Sequence, residues 1–309
     1  REFWSFRPLS TVAEPTVRDA QRVQTTIDKF ILQKLEAQGL TLQDRAQRSH
    51  LIRRAYFDLV GLPPPPEAVD AFLNDNSTNA WGNLLDRLLA SPQYGERWGR
   101  WWLDLARYAD SNGQDENKFM ANAWRYRDWV IDAFARDLPF DQFTLWQLAG
   151  DRLSAPTAEQ RLATGFLRNH MINGEGGRIA EENRVDYVMD MTETMGTLWL
   201  GLTLNCCRCH DHKFDSLTQA DYYGLFAIFN QTPVNGGGGS GQTAPVLSVA
   251  SAEQNSEVQS IEAAIAALKQ RQQQRAAELQ TQLPAWIEQQ MGQGSVWRVL
   301  HPSLVSAQH

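Results

Sequence analysis

The stretch NCCRCHDHKFD, residues 205–215, holds all three cysteines of the chain and two of its six histidines. Within it Cys206, Cys209 and His210 form the pattern C-x-x-C-H. Two thiols at that spacing suit thioether links to the two vinyl groups of one haem, and the adjacent imidazole then reaches the iron axially. Cys207 is left as a spare thiol. Three other readings stay open on the residues alone. Cys206 or Cys207 with Cys209, His210 and His212 could supply four ligands to a structural zinc ion, but such sites normally draw on two separate knuckles and no second cysteine pair exists. A dithiol–disulfide centre expects a C-x-x-C at a helix start in a βαβ context, which is missing. The plainest reading has buried cysteines beside hydrogen-bonded histidines. The spacing favours haem over the other three.

A haem would need a second axial partner or an open sixth position, and that choice separates a closed electron carrier from a centre that reaches peroxide or oxygen. His170, Met171, Met189, Met191 and Met195 are the candidates, of which His170 or Met195 is expected. His212 lies too close in sequence to His210 for easy ligation of the same iron and takes a secondary role. For each methionine core filling is the simpler role, since Met189 and Met191 cannot both face the same side of one helix. The loop NHMINGEGGRIAEENR around His170 offers Glu175, Glu181, Glu182 and Arg184 as acid/base and charge-stabilising groups of the kind peroxide chemistry uses. Glu181 and Glu182 also suit the first turn of a helix, where carboxylates meet the positive dipole end, and for Glu182 that reading is preferred. Asp110, Asn112, Asp115 and Glu116 in DSNGQDENK resemble an acidic calcium loop without EF-hand spacing, so a solvated turn or pocket rim is expected.

Helices must position these groups. TTIDKFILQKLEAQGL places Ile27, Phe30, Ile31 and Leu35 on one face, with a threonine cap before it and Gly39 after it. DRAQRSHLIRRAYFDLVGLPPPP predicts a second helix stopped by Gly61 and prolines, and PEAVDAFLND a third. Further helices are expected at about 78–90, 94–109, 119–136, 140–150 and 157–168, with almost no strand-like alternation. Residues 181–205 read as one long buried helix that runs straight into the cysteine cluster, and a helix capped by Thr218 follows it. Three segments result: 1–232 as an irregular, mainly α domain, 233–245 as a Gly/Ser-rich linker, and 246–309 as a helical arm leading to a truncated or processed C-terminal domain. The arm carries a thin stripe at Val258, Ile261, Ile265 and Leu268, as an arm or helical hairpin would, and residues from 294 onward suggest a first strand.

Composition narrows the partners. Of 309 residues, 42% are hydrophobic and 21% charged, and no apolar run approaches the ~20 residues of a membrane span. A net charge of −7 with scattered basic residues argues against general nucleic-acid binding. Eleven tryptophans are many, and helical spacing assigns most of them to the core, with stacking on sugar rings as the alternative.

The blocks LIRRAYFDLVGLPP, LLASPQYGERWGRWWLDLARYADSNG, AWRYRDWVIDAFARDLPFDQFTLWQLAGD, NHMINGEGGRIAEENRVDYV and TLWLGLTLNCCRCHDHKFDSLTQADYYGLFAIFN resemble, in order and from about residue 3 to 232, the second planctomycete-type cytochrome c domain. That family has no defined function and typically sits in large secreted proteins, behind a smaller cytochrome module. The resemblance implies one covalent haem c per chain on Cys206 and Cys209 with His210 on the iron, and a bacterial periplasmic or secreted location. It also implies a redox partner protein or adjoining cytochrome module, with carbohydrate as a further candidate partner. The segment after 245 is similar to the family's helical linker toward a sugar-binding-like β-sandwich. Ser216 stands where the family pattern expects proline, which bears on the turn after the motif more than on the ligands. On size, a haem oxidoreductase acting on peroxide or carbohydrate is favoured over a simple electron-transfer module, since a carrier needs only about 100 residues.

Overall fold

Three threonines open three helices by the same device. Thr25, Thr157 and Thr218 each accept a hydrogen bond from the backbone N–H three residues on, and the side chains of Asp28, Gln160 and Asp221 accept one from the threonine's own N–H. Each exchange satisfies two donors that a helix start leaves unpaired. The computed structural model describes residues 4–113, 117–237 and 246–292. Its helices are α1 (Thr26–Ala37), α2 (Arg48–Leu59), α3 (Pro66–Asn74), α4 (Ala80–Leu89), α5 (Pro92–Leu105), α6 (Trp124–Ala135), α7 (Phe140–Ala149), α8 (Ala158–Ala163), α9 (Ala180–Met195), α10 (Gln219–Phe229) and α11 (Ala252–Gly292). The chain is mainly helical, as its periodicity predicts. Among the described residues the only β pairing outside helices is an isolated bridge between Ser111 and Phe119.

The chain forms two compact units, Arg1–Leu247 and Ser248–His309. In the first, α2, α3 and α4 enclose Ile52, Phe72, Leu84 and Leu88. A larger core gathers Leu103 from α5, Trp129 and Val130 from α6, Phe143 from α7, Phe166 after α8, and Val188 and Met191 from α9. A third, small cluster of Leu204, Cys207 and Tyr222 lies under the cysteine motif. The second unit's described part is a single helix, α11, with Val258, Ile261, Ile265 and Leu268 exposed along it. It continues through Pro284 without the turn that a hairpin needs. The strand expected beyond residue 294 lies outside the described residues.

Close approach of α5 and α6 depends on two glycines. A methyl group on Gly95 would sit 2.6 Å from the Ile131 carbonyl oxygen and 2.9 Å from the Ala135 methyl, while one on Gly99 would meet Ile131 Cγ1 at 3.2 Å. Gly95→Ala should therefore destabilise the domain by about 2 kcal/mol through overpacking, measured by urea denaturation. Gly224→Ala, inside α10 with nothing within 4 Å, should instead stabilise by about 0.8 kcal/mol on helix propensity. Equal effects of the two substitutions would contradict this account of the α5–α6 contact.

Several expectations change. Ile27 and Ile31 are exposed, and α1 buries Leu32 instead, because the element's inner face is turned from the stripe that the spacing suggested. The helix expected at 119–136 begins at Trp124, after the bridge at Phe119. Trp102, Trp129, Trp146 and Trp199 join the main core, but Trp98, Trp101 and Trp124 are exposed, so the tryptophans divide between core and surface. Of the expected linker, two residues, Val234 and Gly236, are buried. Val234 is buried in the main core, and Gly236 approaches the N-terminal turn of α9 so closely that a methyl group there would clash with the Ala180 carbonyl. Residues 238–245 lie outside the described residues.

The long helix expected over 181–205 is also interrupted. After Met195 the chain makes a π-helical turn, Gly196–Leu200, passes through Gly201 in the left-handed region at φ 64°, and turns back. The Leu202 N–H bonds to the Gly196 carbonyl at 3.1 Å, and the Leu204 side chain packs where a side chain on Gly196 would stand. This reversal returns the cysteine motif alongside α9 instead of carrying it past the end of that helix.

Candidate functional site: the cysteine turn beside α9

The motif opens as a 3-10 turn, Asn205–Arg208, with Cys209 as its closing residue. The N–H groups of Cys209 and His210 both bond to the Cys206 carbonyl at 3.3 Å. With three residues per turn, positions 206 and 209 fall on the same side, and both thiols are exposed. Cys207 points the other way and is fully buried against Leu204 and Tyr222, with its thiol 3.8 Å from the Leu217 carbonyl. Burial raises the Cys207 pKa and keeps this thiol neutral.

The two histidines of the motif are held in opposite ways. His210 Nδ1 lies 2.7 Å from the Asp211 carbonyl oxygen, and since a carbonyl only accepts, Nδ1 carries a proton, while Nε2 of this exposed residue makes no hydrogen bond among the described residues. His212 Nδ1 instead accepts from the backbone N–H of Asp215 at 2.9 Å and of Phe214 at 3.3 Å, which puts the neutral ring's proton on Nε2. His210 therefore has its Nε2 unengaged, and His212 organises the turn that follows. Two exposed thiols and one free imidazole nitrogen fit a covalently held haem. Among the described residues no group of three or more His, Cys, Asp or Glu side chains is placed to hold a metal ion.

Arg208 docks the turn onto α9. Its guanidinium donates to the Met189 sulfur at 2.6 and 3.0 Å and pairs with Glu193 at 3.2 Å and Asp186 at 3.5 Å. Glu193 also accepts from Asn205 at 2.5 Å and from the Tyr222 hydroxyl at 3.1 Å. Its pKa is raised because burial outweighs the attraction of Arg208. Sequence reasoning did not single out Arg208, Glu193, Asn205 or Tyr222. The available signal was the spacing of Asp186, Met189 and Glu193, which puts three groups with lone pairs on one stripe of a largely buried helix.

The remaining candidates are distributed around α9 and the loop before it. His170 is 4% exposed, stacks on Tyr187 at 4.2 Å between ring centres, and donates from Nδ1 to the Met171 carbonyl at 2.8 Å. Its buried Nε2 has no hydrogen-bond partner. Burial pushes its pKa down to about 4, with Arg168 and Arg107 adding to the shift and the Met171 carbonyl and Asp190 opposing it. Met191 is fully buried and Met195 packs on the same main core, Met171 is exposed, and Met189 is the methionine that reaches the cysteine turn. Glu181 and Arg184 form a two-pronged pair at 2.8 Å, and Arg184 also donates to Asn230 at the end of α10. Glu175 and Glu182 are exposed. Asn112 is buried instead of solvated: its side chain donates to the Ile172 carbonyl and accepts from the Lys118 N–H, tying two loops together. Asp110 accepts from the Tyr108 hydroxyl at 2.5 Å, while Asp115 and Glu116 lie outside the described residues.

Compared with known proteins, residues 26–234 match the family PSCyt2, described as a protein of unknown function (DUF1549). No curated protein and no solved structure matches the chain. The match begins later than the resemblance at residue 3 suggested, yet it takes in α1 to α10, the buried His170 and the whole cysteine turn, well over half of the chain. The chain belongs to the PSCyt2 family.

Proposed function

We propose that this domain is a c-type haem protein that works outside the cytoplasm as a redox unit. The observation that carries the reading is the sorting of the motif: Cys206 and Cys209 exposed on one side of a turn, Cys207 buried, and His210 with a bare Nε2. Cys206 and Cys209 would hold the group by adding each S–H across a vinyl C=C, which leaves all electrons accounted for, and His210 Nε2 would take the axial position. When bound, the haem supplies a reversible one-electron change. The protein's own residues set its surroundings: Arg208 fixes the turn on α9, and Glu193 places a partly buried carboxylate beneath it.

Electron exchange with a redox partner or adjoining cytochrome module is the best-supported role. The motif sits on an exposed turn, and Glu181 and Arg184, two of the acid/base candidates, are spent on each other and on Asn230. A peroxide- or carbohydrate-directed oxidoreductase is the second reading, favoured by one observation, the buried neutral His170 with its unpartnered Nε2. The test is a visible spectrum of protein made in a host that matures cytochromes c, oxidised and dithionite-reduced, with a sample in alkaline pyridine. A thioether haemochrome is expected, and a protein without a Soret band would remove both readings. Added cyanide should leave the oxidised spectrum unchanged for the electron carrier, whereas a shift would favour the oxidoreductase.

A further inference from the structure

An open cleft of about 390 Å³ lies along α5 and α6, elements that do not carry the cysteine turn. Its walls include Glu96, Arg100 and Asp104, one stripe of α5 at i, i+4 and i+8, together with Trp101, Tyr108 and Arg127. That volume falls within the range of small-molecule sites. Trp101 is 49% exposed but not loose. The Arg97 guanidinium lies over its ring at 5.1 Å, and the Arg97 stem fills the space that a side chain on Gly61 would take. The indole is therefore held in position while half of it faces solvent.

The polar groups around the ring divide into used and unused. Arg127 is tied to Asp128 at 2.9 Å and the Tyr108 hydroxyl to Asp110 at 2.5 Å, which fixes the rim. The side chains of Glu96, Arg100 and Asp104 make no hydrogen bond or ion pair among the described residues, so two acceptors and one multiple donor face the cleft with their capacity free. With Arg127 paired to Asp128, the two free carboxylates are balanced by Arg100 in the cleft and Arg97 over Trp101, which gives an ionic ligand of either sign no net advantage. A fixed aromatic face flanked by free donors and acceptors matches a ligand with one apolar face and hydroxyls around its edge.

We propose that this cleft is a binding site for a neutral saccharide, with a pyranose ring stacked on Trp101 and its hydroxyls hydrogen-bonded to Glu96, Arg100 and Asp104. The site does not depend on haem attachment and can be occupied whether or not the cysteine turn carries its group. The openness of the cleft suits an internal unit of a chain, so oligosaccharides are the appropriate probes.

Calorimetric titration of the full chain with cellohexaose, xylohexaose, mannohexaose and maltohexaose tests this directly. At least one should bind with millimolar Kd or tighter, and Trp101→Ala should weaken that binding at least tenfold with unchanged helical circular dichroism. The double substitution Glu96→Gln and Asp104→Asn, on exposed positions of α5, should weaken it about fivefold and serves if the tryptophan variant does not fold. No binding by any of the four, or binding that both variants leave intact, overturns the proposal. Tighter binding of trigalacturonate than of every neutral probe overturns the neutral class.

Discussion

Replacing Cys206 and Cys209 together by alanine is expected to abolish covalently bound haem completely, while Cys207→Ala retains it. The contrast follows from the turn geometry, because 206 and 209 share the exposed side and 207 packs between Leu204 and Tyr222. Losing the buried thiol should lower stability by about 1 kcal/mol through the small void it leaves, without touching attachment. Intact mass under denaturing conditions reads both results, since only a covalent group survives unfolding. A Cys207→Ala protein that lost its haem, or a double variant that kept it, would mean that the wrong pair has been assigned. His210→Ala should keep the thioether mass while changing the iron's spectrum, which separates attachment from ligation.

Acid is expected to cost this protein roughly 3 kcal/mol of stability through His170 alone. Its pKa falls from 6.5 to about 4 on folding, chiefly because the ring is buried, and each unit corresponds to about 1.4 kcal/mol. The unfolded chain thus binds the proton more readily than the folded one between those two values. This contribution to stability is complete above about pH 6.5 and is lost as the pH falls toward 4. The groups around the ring are Tyr187 on α9, Arg168, Arg107 and Asp190, and Asp190 is already paired with Arg107 at 2.5 Å. Urea unfolding of wild type and His170→Gln at intervals from pH 4 to 7 isolates the effect. The wild-type curve should bend downward below pH 6.5 relative to the variant, and parallel curves would show that the ring is not held neutral.

The features legible in the sequence are those decided within a few residues. Thr25 and Thr218 act as caps because capping needs only a hydroxyl and a carboxylate three residues later, and Gly39 and Gly61 end their helices with positive φ. The C-x-x-C-H spacing is equally local. What could not be read depends on distant contacts. The reversal at Gly201 exists because Leu204 folds onto Gly196, so a pattern that looks helical through residue 205 leaves the α-helix at Met195 and ends at Leu200. Trp101 and Trp102 are neighbours in sequence, yet one lines an open cleft and the other joins the core, since successive helical positions point about 100° apart. The different states of His210 and His212 rest on which backbone groups the turn brings to each ring. The division of labour between Arg208, Glu193 and Met189 required the same reversal to bring them together.

Burial of Cys207 also bears on how the motif responds to an oxidant. Three thiols within four residues could close three different disulfides on oxidation, two of which would involve Cys207. The fold hides that thiol beneath Tyr222 and keeps it protonated, so it is a poor nucleophile and out of reach. Cys206 and Cys209 remain exposed, so a disulfide between them would be open to a single reductant that restores both thiols. The small apolar cluster under the motif thus sets Cys207 apart from its two exposed neighbours, and an oxidant that reaches the turn would meet only those two.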